Sequence, residues 1–308
     1  MNKLLWIIGC VWLLLPCADA AAALSELDVK EVAPGVYVHE GHIEPMTAAN
    51  RGDTANIGFV VGDDCVAVID TGGSPQVGNA LRVAIETRTD KPVCFVINTH
   101  AHPDHVFGNS AFVGLQPTFI AHNDYAQALG ARMQTYLERF SGVYGHKLSA
   151  EIIVAPDRTV QKATTLDLGN RLLKLTALPV GHTNNDLIVY DTRTATLWTG
   201  DALFVEHIPV LDGRLLGWLE IMDQLQSIEA RRAVPGHGPA SVAWPQALNA
   251  QRQYLSSMAQ EIRAIIKRGG TIEEAIDTVG HEARKQWRLF SEYHRRNVTS
   301  AFAELEWE

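Results

Sequence analysis

The chain has 308 residues, 46% of them apolar and 20% charged, the make-up of a globular protein with material for a sizeable core. Its formal net charge of −9 argues against a nucleic-acid groove and an anionic membrane surface, both of which call for an excess of lysine and arginine. A local basic patch can still hide in that total.

The first twenty residues, MNKLLWIIGCVWLLLPCADA, read as a secretory signal peptide. An early lysine precedes an apolar core from Leu4 to Leu15, and Ala18-x-Ala20 marks cleavage after Ala20. The apolar run is too short to span a bilayer, so no stable membrane insertion is expected. Cys10 comes too early in that run for a lipoprotein anchor. The mature chain, 21–308, is expected to be periplasmic or secreted and to form a single domain, with 245–308 a helical C-terminal extension. Lys3 and Asp19 leave together, so its charge stays at −9. Cleavage leaves two cysteines, Cys65 and Cys94. An oxidising compartment would let them pair. Bridges between neighbouring strands are geometrically awkward, however, and two buried free thiols are the favoured reading.

GVYVHEG and NIGFVVG read as short strands separated by a loop from His42 to Asp53. CVAVID, ended by TGGS, is a buried strand with a glycine turn, and Pro75 to Glu86 has helical spacing. VCFVIN, Val93 to Asn98, is a second buried strand, so strand, helix and strand suggest a βαβ crossover with two parallel neighbours. TFIAH reads as a strand and Asp124 to Phe140 as a helix. LLKLTALP, DLIVYD and ATLWTG make a strand-rich middle, LLGWLEIMDQLQSI is an amphipathic helix, and RAVPGHG is a short strand with a turn. Helices are then predicted over Ala247–Arg268, Ile272–Val279 and Glu282–Leu305, punctuated by Gly269-Gly270 and Gly280.

The chemistry gathers in NTHAHPDHVFGN, where His100, His102, Asp104 and His105 lie within six positions at the end of the strand Val93–Asn98. Open sheets place their ligands at the carboxyl ends of such strands. His100 and His102, two apart on extended chain, can hold one ion, while Asp104 and His105 open a short helical segment aimed at a second. His182 after ALPVG, Asp201 after ATLWTG and His237 in VPGHG each follow an apolar run and a glycine, which brings them to the same rim. Asp201 is placed to bridge two ions through its two oxygens, its alternative being a helix N-cap. Asp70, in IDTGGS, is expected to orient a ligand or the turn rather than to bind metal. His207, in a loop that overhangs the site, is a candidate substrate contact. His39, His42, His122, His146, His281 and His294 lack companions at ligand spacing, and local roles suffice for them.

THAHPDH, VGHT, TGDALF, PGHG and VIDTGG, in this order, resemble the metallo-β-lactamase superfamily of hydrolases over roughly Gly35 to Gly238. The resemblance implies an α/β fold, a four-layer αββα sandwich, to which the helical C-terminal tail is added. It also implies two Zn2+ ions, one held by His100, His102 and His182, the other by Asp104, His105 and His237, with Asp201 between them. HPDHVFGNSAF, GWLEIMDQL and WRLFSEYHRRNVTSAFAELE are similar, more narrowly, to the quinoprotein relay system zinc metallohydrolases, which implies a functional link to a periplasmic quinoprotein dehydrogenase. The antibiotic-cleaving members carry cysteine or serine where this chain has Asp201. Any β-lactamase activity is therefore expected to be weak.

The expected activity is hydrolysis of an ester, thioester or amide of a small-molecule substrate by a metal-bridging hydroxide, with Asp104 both ligand and catalytic residue. No Gly-x-Ser-x-Gly elbow offers a serine nucleophile. Two alternatives stand beside this reading. One is a single Fe2+ at His100, His182 and Asp201 oxidising a thiol or persulfide; the other is a non-catalytic maturation factor for a quinoprotein. The loop His42–Asp53 and the segment Val205–Trp218 are expected to frame the cleft, and neither carries a charge pattern that names a ligand. Nothing in the sequence speaks to oligomeric state.

Overall fold

The computed structural model describes residues 26–308, so the predicted signal peptide lies outside the described residues. The first sheet runs in chain order through β1 (Lys30–Ala33), β2 (Val36–His39), β3 (Ile57–Val61), β4 (Val66–Ile69), β5 (Val93–Ile97), β6 (Thr118–His122) and β7 (Arg158–Val160). The second contains β8 (Ala163–Asp167), β9 (Leu172–Ala177), β10 (Leu187–Asp191), β11 (Thr196–Phe204), β12 (Arg232–His237) and β13 (Val242–Ala243), also neighbouring in chain order. The helices are α1 (Pro75–Arg88), α2 (Pro103–Val106), α3 (Tyr125–Tyr144), α4 (Leu215–Gln226), α5 (Leu248–Lys267), α6 (Ile272–Thr278) and α7 (Phe290–Leu305). As the strand–helix–strand pattern predicts, β4 and β5 are parallel neighbours joined through α1.

Both faces of both sheets are covered, because successive side chains of a strand point to opposite faces. In β4, Ala67 and Ile69 face the second sheet and pack with Leu175, Val189 and Trp198. Val66 and Val68 face outward, onto Leu81 and Ile85 of α1. The outer face of the second sheet, with Leu197, Leu203 and Ala233, is covered by Trp218 and Met222 of α4 and by Leu255 and Met258 of α5. Helix, sheet, sheet, helix is the αββα sandwich. Its fourth layer is built largely by the C-terminal helices.

The structure corrects two sequence expectations. Cys65 and Cys94 are joined as a disulfide rather than left as free thiols. The register shift of β4 against β5 next to Val66 brings their Cα atoms to 5.8 Å, inside the range a bridge requires. The helix expected over Glu282–Leu305 is broken instead. A 3-10 turn (His281–Lys285) ends before Trp287 buries itself against α5, and Leu289 turns the chain with a positive φ before α7 starts. Strands β1, β7, β8 and β13 have no counterpart among the expected elements; KEVA, RTV, ATTLD and VA are too short or too polar to show an apolar period.

A buried ion pair ties the two sheets. Arg171 donates from Nε and Nη2 to the two oxygens of Asp191, at 3.1 and 2.6 Å, and from Nη1 to the Pro34 and Val61 carbonyls of the other sheet. Asp191 is fully buried, so removing it strands a guanidinium charge in the interior. Asp191→Ala is expected to lower stability by about 3–5 kcal/mol, measured by chemical denaturation. Replacing both partners by apolar residues of matching volume should cost far less.

Candidate metal centre

The twelve-residue motif is closed on itself by its two asparagines. Asn98 and Asn109 exchange amide hydrogen bonds at 3.1 and 2.8 Å, and Thr71 donates to Asn109 Oδ1. That clamp starts the loop at the end of β5 and returns it beside the turn after β4. Within it, His102 is the extended residue before α2, whose proline first position stops the chain from continuing straight. His182 comes from the loop between β9 and β10, Asp201 from within β11, and His237 from the end of β12. Asp201 is therefore a strand residue and not a helix cap.

Asp201 reaches the centre because β11 is irregular there. Its register against β12 shifts on both sides of Gly200, which has a positive φ. A Cβ on Gly236 would lie 1.9 Å from Asp201 Oδ1, so the neighbouring strand must carry glycine for the carboxylate to fit.

Seven side chains converge in two groups, His100, His102, His182 and Asp201 in one, Asp104, His105 and His237 in the other. In the first, His102 Nδ1 lies 3.0 Å from His100 Nε2 and 3.1 Å from His182 Nε2. Asp201 Oδ2 is 3.6 and 3.4 Å from His100 and His182 Nε2, while its Oδ1 is 3.2 and 3.4 Å from His105 and His237 Nε2. One carboxylate thus faces both groups, an oxygen to each. Asp104 Oδ2 completes the second group, 3.5 Å from His237 Nε2.

The far nitrogen of every one of these imidazoles meets an acceptor. His182 Nδ1 donates to the Val210 carbonyl at 2.7 Å and His237 Nδ1 to the Thr54 carbonyl at 2.8 Å. His105 Nδ1 donates to Asp70 Oδ2 at 2.8 Å, and His102 Nε2 donates to Asp212 Oδ2 at 3.0 Å. His100 Nδ1 donates to Thr99 Oγ1 at 3.1 Å, because the Thr99 hydroxyl proton is given to Asp70 Oδ2. These partners set the tautomers and leave five lone pairs pointing inward. Asp70 holds two of the five, directly through His105 and through Thr99.

That arrangement is the test of whether a metal fits. His105 Nε2 and Asp201 Oδ1 are buried without a hydrogen-bond partner and face each other. Two lone pairs so placed require a cation between or beside them. Burial and the neighbouring His105 ring push His100 well below the usual imidazole range, and burial lowers His182 too, so both are neutral and free to ligate. Burial opposes a charge on His105, but Asp201, Asp70 and Asp104 outweigh it and hold its pKa well above the usual value. At that nitrogen a metal ion replaces a proton. Burial would raise the Asp201 carboxyl, yet His237, His105 and His100 hold it well below the carboxylate range. Five nitrogens and two carboxylates suit zinc or iron.

His207 lies on the cleft wall, buried, its Nδ1 2.6 Å from the Ile208 carbonyl and its ring centroid 4.9 Å from that of His237. Burial and His237 lower its pKa to about 3. Both loops expected to frame the cleft contribute to it, through Glu44 and Met46 and through Val210 and Asp212. Missed from the sequence are Asp212, the partner of His102, and the contributions of α3 and α7, namely Arg132, Tyr136, Arg139, Tyr293 and Arg296.

A family model described as "Metallo-beta-lactamase superfamily" matches residues 50–237. No curated protein matches the chain. Among solved structures, a metallo-beta-lactamase from Pontibacter korlensis aligns with a TM-score of 0.60 at 20% identity, covering 74% of this chain and 99% of that one. A metallo-beta-lactamase family protein from Thermus thermophilus gives 0.63 at 20% identity over 89% and 93%. A sec-alkylsulfatase from Pseudomonas sp. gives 0.69 at 18% identity over 90% of this chain and 50% of its own, so this chain spans half its length. At such identities the structures show the fold, and the family match, over more than half of the residues, shows the kinship: the chain belongs to the metallo-β-lactamase superfamily.

Proposed function

We propose that this metal-dependent hydrolase is binuclear, holds zinc, and cleaves an ester, thioester or amide carbonyl of a small molecule. The observation that carries the reading is the set of five imidazoles with their outer nitrogens hydrogen-bonded and their lone pairs directed at two points on either side of Asp201. His100, His102 and His182 would hold one ion, Asp104, His105 and His237 the other, with Asp201 shared. Bound there, divalent ions supply Lewis acidity toward the carbonyl oxygen and bring the pKa of water down to about 7.

The chain's own residues do the rest. Burial would raise the Asp104 carboxyl, but His105 and His237 keep it ionised, and Thr54 Oγ1 donates to its Oδ2 at 3.3 Å. A carboxylate fixed there accepts a proton from the attacking water and sets its approach. Water adds to the carbonyl carbon, the bond to oxygen, sulfur or nitrogen breaks, and a proton passes to the departing atom. Met46, Phe140 and Val210 give the cleft an apolar side. A single iron in the first group is the weaker reading, because Asp104, His105 and His237 are gathered beside it in a second complete set of donors.

Export is part of the same proposal. The Cys65–Cys94 bridge suits an oxidising compartment and supports the signal-peptide reading, and the link to a quinoprotein dehydrogenase rests on that setting.

Protein purified without a histidine tag is expected to contain close to two zinc per chain by mass spectrometry, and to lose ester and thioester turnover on chelation and regain it with added zinc. Asp104→Asn should lower kcat at least a hundredfold with the fold intact by circular dichroism; near one iron per chain, or full turnover in that variant, would sink the reading. Asp212→Ala removes the acceptor that fixes His102. It is expected to weaken one metal equivalent about 10- to 100-fold in chelator competition while the other is retained.

A further inference from the structure

The cleft above the centre encloses about 370 Å3, room for a small molecule. Its floor is formed by Asp104, Asp201 and His237. At its mouth stand three arginines, Arg132 and Arg139 from α3 and Arg296 from α7, against two carboxylates, Asp212 and Glu44. A chain of net charge −9 thus places a cationic rim over this cleft.

The three arginines are not equivalent. Arg132 and Arg296 both donate to Asp212, whose carboxylate also accepts from His102, so two guanidinium charges share one anion. Arg139 has no carboxylate partner among the described residues, and its guanidinium lies 5.5 Å from the centre of the Phe140 ring. Arg139 and Arg296 line the same cleft with Tyr293. Against Asp212 and Glu44, the rim keeps one surplus positive charge.

We infer that the substrate carries a single negative charge, as a carboxylate or sulfate a few atoms from the scissile carbonyl, and that Arg139, the cleft arginine without a carboxylate partner, binds it. Guanidinium offers such an oxyanion two parallel N–H donors, and charge-assisted pairs of this kind are stronger than neutral ones. The cationic rim also draws anions toward the floor, an effect that salt weakens. This assignment rests on the hydrolase reading, since it places the anion relative to the bond that is cleaved.

The test is a matched pair of substrates, the mono-4-nitrophenyl ester of adipic acid and 4-nitrophenyl hexanoate. They share a leaving group and chain length and differ in the terminal carboxylate. The zinc-loaded wild type is expected to prefer the anionic ester by about tenfold in kcat/KM, the equivalent of one charge-assisted contact. Arg139→Gln should collapse that ratio toward one, and Arg139→Lys should restore part of it. Equal turnover of the two esters by the wild type, or a preference that survives in Arg139→Gln, overturns the inference. If neither ester is turned over, the ester form of the hydrolase reading fails on its own account. Calorimetry with the non-activated adipic monoanilide and hexananilide then decides the anion site. Tighter binding of the anionic anilide, lost in Arg139→Gln, upholds it; equal binding removes it.

Discussion

The centre depends on one electrostatic constraint, a carboxylate held in the interior among five imidazoles. Asp201 is 4% exposed, and solvent compensates little of its charge. What compensates it must come from the surrounding nitrogens or from ions held between them and the carboxylate. The fold bonds each imidazole from behind, so that a neutral ring turns its lone pair, and not its N–H, toward the centre. A protein selected only for stability would do the reverse, since an inward N–H would pair the carboxylate directly. Orphaned lone pairs at His105 and Asp201 are the mark of a site whose missing partner is a cation.

Much of this was legible in the sequence, and what was not has identifiable causes. The donors could be read because His182, Asp201 and His237 each follow an apolar run and a glycine, and because the other four share one short loop. Strands such as β4, β5 and β10 showed in their apolar runs, while the four-layer sandwich was implied by the family resemblance. The groups that fix the tautomers were harder. Two are backbone carbonyls, of Thr54 and Val210, and a carbonyl has no residue identity to read. Asp212 is a lone aspartate in a loop, distinguished only by where the loop goes. The rim arginines lie on α3 and α7, whose helical patterns are ordinary and whose approach to one cleft is a property of the tertiary fold. The broken last helix was hidden for a similar reason. Leu289 adopts a left-handed conformation that nothing local favours, and the burial of Trp287 imposes it.

The C-terminal helices are more than a fourth layer on the sandwich. Asn297 of α7, fully buried, donates from Nδ2 to the Pro209 carbonyl and accepts the Leu211 N–H at Oδ1. It thereby holds both sides of Val210, whose carbonyl fixes His182. One residue earlier in the helix, Arg296 pairs with Asp212, which fixes His102. Glu304 accepts the Leu215 N–H where the same loop enters α4. Just before the helix, Arg288 bonds through its backbone to Glu206 and Ile208, and its guanidinium donates to the Ile43 carbonyl. Two of the three histidines in the first group thus take their orientation from a loop whose conformation is set by α7. The same helix supplies Tyr293 and Arg296 to the cleft that substrate must enter. A change in α7 therefore acts at two places at once, on the aim of the donors and on the charge of the rim. The segment that covers the hydrophobic face of the second sheet is, by these contacts, part of the centre.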